Sequence, residues 1–111
     1  MHILRIVATS TFLAGIQPLH AQEQGDPKRG LSYAEKACME CHGVLADDDI
    51  SPLLDAPTFR SVANTPGMTY TALSVWFQSP HPSMPNLIIP PEDLANVIAY
   101  IISLKDVKEE Q

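Results

Sequence analysis

Cys38-Met39-Glu40-Cys41-His42, with Gly43 directly after it, is the stretch on which the reading of this chain turns. A Cys-x-x-Cys-His pentapeptide reads as a c-type haem attachment site. The spacing has a mechanical reason: two sulfurs three positions apart at a helix end can each reach one vinyl group along a porphyrin edge. The next side chain, His42, then falls over the ring plane with an imidazole nitrogen towards iron. Three other readings compete. A thioredoxin-like thiol pair sits beside a βαβ pattern, whereas this chain has no alternating strand pattern and no Asn-Gly or Asp-Gly hairpin signal. A zinc site would draw on Cys38, Cys41, His42 and His81, yet the adjacent Cys41 and His42 suit one tetrahedral ion badly and the usual two-histidine spacing is missing. A structural disulfide needs no histidine beside it. The expected cofactor is therefore one covalently held haem c.

Working outward from the pentapeptide, Asp26-Pro27 gives an N-cap residue followed by proline at the first helical position. A helix is predicted from Lys28 to Ala37, with Gly30, Tyr33, Ala34 and Ala37 on one small-residue face. Gly43 is expected to permit a sharp exit from the helix end. On the other side, Val44 to Thr65 reads mostly as loop, broken by Pro52 and Pro57. Its acidic run, Asp47-Asp48-Asp49, is expected to be a solvated face rather than a cation site. Phe59, Val62 and Ala63 form a short helical turn. A further helix is predicted from Met68 to Ser79, with Leu73, Trp76 and Phe77 as one buried stripe. Pro80-His81-Pro82-Ser83-Met84-Pro85-Asn86 cannot continue it, because proline removes donors and fixes φ. The last helix begins near Pro91, Glu92 and Asp93 and ends near Lys105, charges that suit its dipole. Leu94, Val97, Ile98, Ile101 and Leu104 recur at helical intervals and bury one face. Val107 to Gln111 is a charged tail. The predicted fold class is all-α.

His42 leaves one axial position on iron. Met39 lies inside the tether, on the same side as His42, and Met68 begins a helix as a capping core residue. Met84 sits in the proline-braced loop, far enough along the chain to wrap round a haem edge, and rigid prolines lower the entropy lost in holding a weak thioether ligand. Met84 is the expected second axial ligand and His81 its rival. His/Met ligation raises the reduction potential relative to more donating pairs.

The chain has 111 residues, 45% apolar and 18% charged, which suits one small domain rather than a multidomain enzyme. With 13 acids against seven Lys and Arg, a nucleic-acid-binding surface is not expected. Met1 to Arg5, the apolar run Ile6 to Ile16 and the segment ending at Ala21 match a secretory signal peptide. Residues 1–21 are therefore expected to be cleaved, leaving a domain at 22–111 in the periplasm; the alternative is a retained anchor, for which the apolar run is short. Removing 21 of 111 residues leaves 90, and with Arg5 gone six bases face 13 acids, a net charge of −7. So small a domain is marginal without a cofactor or cross-link. Burying several hundred Å² of macrocycle contributes on the order of ten kcal/mol at about 25 cal/mol per Å², comparable with the stability of a typical domain.

The ordered set of motifs resembles a small class I c-type cytochrome of the monohaem, bacterial periplasmic kind. It comprises Gly30-x-x-Tyr33-Ala34, Cys38-x-x-Cys41-His42-Gly43, Ala56-Pro57-Thr58-Phe59, Pro80-His81-x-x-Met84-Pro85 and Ile98-Ala99-Tyr100-Ile101-x-Ser103-Leu104. Together they cover nearly all of residues 22–111. The resemblance implies a compact cytochrome c fold of three to four helices wrapped around one covalent haem, with Gly30 and Tyr33 of the first helix meeting Tyr100 and Leu104 of the last. It implies a proline carbonyl bonded to the other nitrogen of the axial histidine; Pro57 best matches that position, with Pro52 nearby. It also suggests Trp76, and similarly Tyr70, as donors to a haem propionate, although Trp76 fits plain core packing better. The activity implied is that of a soluble, monomeric electron carrier rather than an enzyme, because six-coordinate iron offers substrate no open position. Partners would be redox proteins with a basic docking patch. Two alternatives remain: a dedicated subunit of a dehydrogenase or oxidase complex, and a ligand-responsive haem sensor in which Met84 dissociates.

Overall fold

A computed structural model describes residues 25–79, 83–84 and 87–106. The expected leader at 1–21, most of the proline-braced loop and the tail from Val107 lie outside the described residues. Within them the chain is all-α: α1 (Pro27–Ala37), α2 (Phe59–Ala63), α3 (Tyr70–Gln78) and α4 (Pro91–Ser103), with no strand. No helix among the described residues is long and apolar enough to cross a membrane.

Local chemistry sets the helix starts. The Asp26 side chain accepts the Lys28 N–H at 2.8 Å, and Pro27 takes the first helical position of α1, where no N–H is needed. Thr58 caps α2 by accepting from Ser61 N at 3.1 Å, and Thr69 caps α3 by accepting from Ala72 N at 3.0 Å. The start of α4 has no side-chain cap, but Pro91 opens it and Glu92 and Asp93 occupy its first turn.

The centre of the molecule is α4. Six consecutive residues, Asn96 to Ile101, are buried, more than one helix face holds. The reason is that α4 has neighbours on several sides: α1 packs most extensively against it, and α2 and α3 also touch it. Gly30 makes the α1 contact possible. A Cβ built there would clash with the Asn96 carbonyl and lie 2.8 Å from Tyr100 Cβ, so the backbones approach where only glycine fits. Asn96 ties the same junction by accepting the Asp26 N–H at 2.8 Å through Oδ1. Ala34, Phe59, Ala63, Leu73, Val97, Ile98 and Ile101 fill the core.

Three expectations are corrected. Ala37 is exposed, at the edge of the α1 face that buries Gly30 and Ala34. Trp76 is not in the α3 stripe: it is 58% exposed, while Leu73 is buried and Tyr70 and Phe77 are half-buried against the core. At about 100° per residue, Tyr70 and Phe77 lie on one side of Leu73 and Trp76 on the other. Finally, Gly43 is not at positive φ. It is needed for space, since a Cβ there would meet Asp48 Cβ at 2.9 Å and Thr58 Cγ2 at 3.0 Å.

Candidate cofactor site

The Cys38–His42 segment grows out of the end of α1. Cys38 is the C-cap residue, and its N–H donates to the Ala34 carbonyl at 2.8 Å. The N–H groups of Cys41 and His42 then both bond to the Cys38 carbonyl, at 3.2 and 3.0 Å. The chain therefore turns over the helix end and keeps both cysteines and the histidine in one short arc. Both cysteines are free thiols, Cys38 buried and Cys41 half-buried. Burial pushes the Cys38 thiol up to about 11, with the neighbouring Cys41 adding to the push, so it stays protonated at neutral pH.

His42 is held from the side. Its Nδ1 lies 2.7 Å from the Pro57 carbonyl oxygen. A carbonyl only accepts, so Nδ1 carries the proton and donates, and Nε2 keeps its lone pair for a Lewis acid. Pro52, the neighbouring candidate, does not make this bond and lies exposed on the loop. The Phe59 ring packs against the imidazole with centroids 5.5 Å apart and planes tilted by 51°, and its centroid lies 6.5 Å from that of the Tyr100 ring. Pro57 and Phe59 reach His42 because the loop between them is pinned at its neck. Phe59 N donates to Gly43 O at 2.8 Å, and Gly43 N donates to the buried Ser51 hydroxyl at 3.0 Å. The Tyr100 hydroxyl donates to the Val44 carbonyl at 2.5 Å and anchors the same neck to α4.

A cleft of about 390 Å³ opens beside the Cys38–His42 segment, lined by the mostly apolar Met39, Val44, Leu45, Ile50 and Pro52 and by His42, Asp48 and Ser51. Two unpaired thiols three positions apart, an imidazole with its remote nitrogen free, and apolar surroundings are a donor set that fits a covalently held haem. Among the described residues no three His, Cys, Asp or Glu are grouped to hold a metal ion; His81, the fourth member of the zinc reading, lies outside them. Within the acidic run, Asp47 and Asp49 are exposed, but Asp48 is half-buried and accepts the Leu45 N–H at 2.9 Å, so it builds a turn.

The other candidates are placed less closely. Met84 is half-buried, with its neighbours Pro85 and Asn86 outside the described residues. Tyr70 packs against the core, and Trp76 is largely exposed. Sequence reasoning missed Phe59 as the wall behind His42, Ser51 as the clasp on Gly43, and Asn96. A polar residue inside the apolar run of the last helix was the available signal for Asn96; Ser51 gave none. No family model, no curated protein and no solved structure matches the chain.

Proposed function

We propose that this protein is a monohaem c-type cytochrome, an exported, soluble electron carrier that serves redox proteins in the periplasm. The observation that carries the reading is the pentapeptide Cys38 to His42 together with the bond from His42 Nδ1 to the Pro57 carbonyl, which leaves Nε2 directed to a metal's needs. Haem, when bound, supplies a ferrous/ferric couple that moves one electron. Cys38 and Cys41 hold it by thioether bonds. His42 would bind the iron through Nε2, its ring orientation fixed by Pro57 and Phe59. Met84 would supply the second protein ligand, a weak thioether. The acid excess of the chain favours brief, salt-sensitive encounters with basic partners.

The test is a reduced-minus-oxidised absorption spectrum of protein exported from a host with cytochrome maturation machinery. A low-spin c-type spectrum, with colour retained in acid-acetone, is the expected result. A colourless protein, or colour that extracts fully, overturns the reading.

A further inference from the structure

We propose that Ser51 is a positioning residue for His42: with Pro52 and Leu53 it forms a bracket that holds the backbone on both sides of the imidazole and sets the strength of its bond to Pro57. The Ser51 hydroxyl accepts the Gly43 N–H at 3.0 Å, and two residues further on Leu53 N donates to the Cys41 carbonyl at 3.2 Å. Cys41 and Gly43 are the chain neighbours of His42, so one short segment grips the histidine from either side. Ser51 is only 5% exposed and Gly43 is buried, so the N–H that Ser51 serves has no water to turn to.

Pro52 stands between the two grips. Its ring fixes φ and it offers no N–H of its own, so the distance from one grip to the other is held by a stiff residue. Glycine at 43 lets the bracket close, since a Cβ there would lie 3.1 Å from the Ile50 carbonyl oxygen. The bond from His42 Nδ1 to the Pro57 carbonyl, 2.7 Å long, needs both ends placed. The Pro57 end is placed by Phe59 N donating to Gly43 O at 2.8 Å, and the His42 end by the bracket. Both placements meet at Gly43. A firm Nδ1–H bond makes the ring a stronger donor through Nε2, and a stronger donor lowers the potential of the iron. That consequence for the iron rests on the function proposed above; the grip on Cys41 and Gly43 does not.

The experiment compares the haem-loaded parent with Ser51→Ala, Ser51→Thr, Pro52→Ala and a control destabilised elsewhere, Gly30→Ala, by reduction potential and by amide exchange. In Ser51→Ala the Gly43 amide should exchange about tenfold faster relative to the amides of α4, equivalent to about 1.4 kcal/mol. Its potential should rise, because the imidazole becomes a weaker donor. Pro52→Ala should shift the potential the same way by less, Ser51→Thr should return both readouts towards the parent, and Gly30→Ala should leave the potential unchanged. A purely structural clasp would admit water to the cleft and lower the potential, or leave it where it was. A fall or no change in both Ser51→Ala and Pro52→Ala, or an equal rise in Gly30→Ala, overturns the proposal. If Ser51→Ala does not accumulate, Pro52→Ala, at an exposed position, decides alone. A parent with no haem spectrum defeats the cytochrome reading instead, and the Gly43 exchange rate in Ser51→Ala then decides the bracket.

Discussion

At His42 a single hydrogen bond decides which nitrogen is available. With Nδ1–H committed to the Pro57 carbonyl, Nε2 is the only atom of the ring that can bind iron. Met84, the proposed second ligand, would be the weaker one. Met84→Ala is expected to lower the reduction potential and let carbon monoxide bind the reduced protein at neutral pH; an unchanged potential with no ligand binding would remove Met84 from the site. Tyr100 is the second decisive residue. Its hydroxyl supplies a partner to the buried Val44 carbonyl, so Tyr100→Phe should cost about 1–3 kcal/mol in denaturant titration. Burial raises the Tyr100 pKa above the ordinary 10.0, with Glu35, Asp48 and Asp47 adding to the rise, and burial followed by Asp93 and Cys38 raises Tyr33. A raised tyrosine pKa means that the folded state prefers the neutral phenol. That stability is complete below the ordinary value and is lost as pH climbs through the raised one. Melting temperature should therefore fall above about pH 10, and less steeply in Tyr100→Phe than in the parent; parallel curves would contradict this.

At the level of elements, the contact of α1 with α4 is set by Gly30. Alanine there gains up to about 1 kcal/mol of helix propensity, while overpacking commonly costs about 1–3 kcal/mol. The obstacle at Gly30 is the Asn96 backbone, which cannot rotate away, so the upper end applies. Gly30→Ala should lose about 2 kcal/mol, roughly a 10 °C drop in melting temperature for a domain this size; a stabilised variant would show that the helices separate freely. The helix positions were legible in the sequence because their signals are local: Asp26 with Pro27 for α1, Pro91 with Glu92 and Asp93 for α4. What was not legible depends on neighbours far along the chain. Spacings of three and four residues placed Trp76 and Phe77 in one stripe with Leu73, and only the position of α4 against α3 tells the two flanks apart. Gly43 looked like a chain-reversal glycine, whereas its constraint comes from Asp48, Ile50 and Thr58, brought up by the folded loop.

For the molecule as a whole, the core gathered around α4 is small, and the proposed haem adds the apolar mass it lacks. Cys41→Ser should sharply lower the yield of haem-loaded protein, read as absorbance per polypeptide, and the haem-free fraction should lose much of its far-ultraviolet helix signal; a variant with full haem content and full helicity would count against covalent attachment. Of the site, the Cys38–His42 motif is legible because it lies in five consecutive residues, and the Pro57 contact with His42 was implied by resemblance. The Phe59 wall and the Ser51 clasp arise only when the loop closes. That closure has a further consequence. Because Phe59 and Gly43 are bonded across the neck, residues 44–58 form a lobe whose two ends are already joined. Added or deleted residues inside such a lobe change its closure entropy only slowly with length and leave the register of the helices untouched. Length changes within the lobe but away from Val44, Ser51 and Pro57 should therefore leave the neck and the helices in place, and amide protons there should trade with solvent well before those of α4.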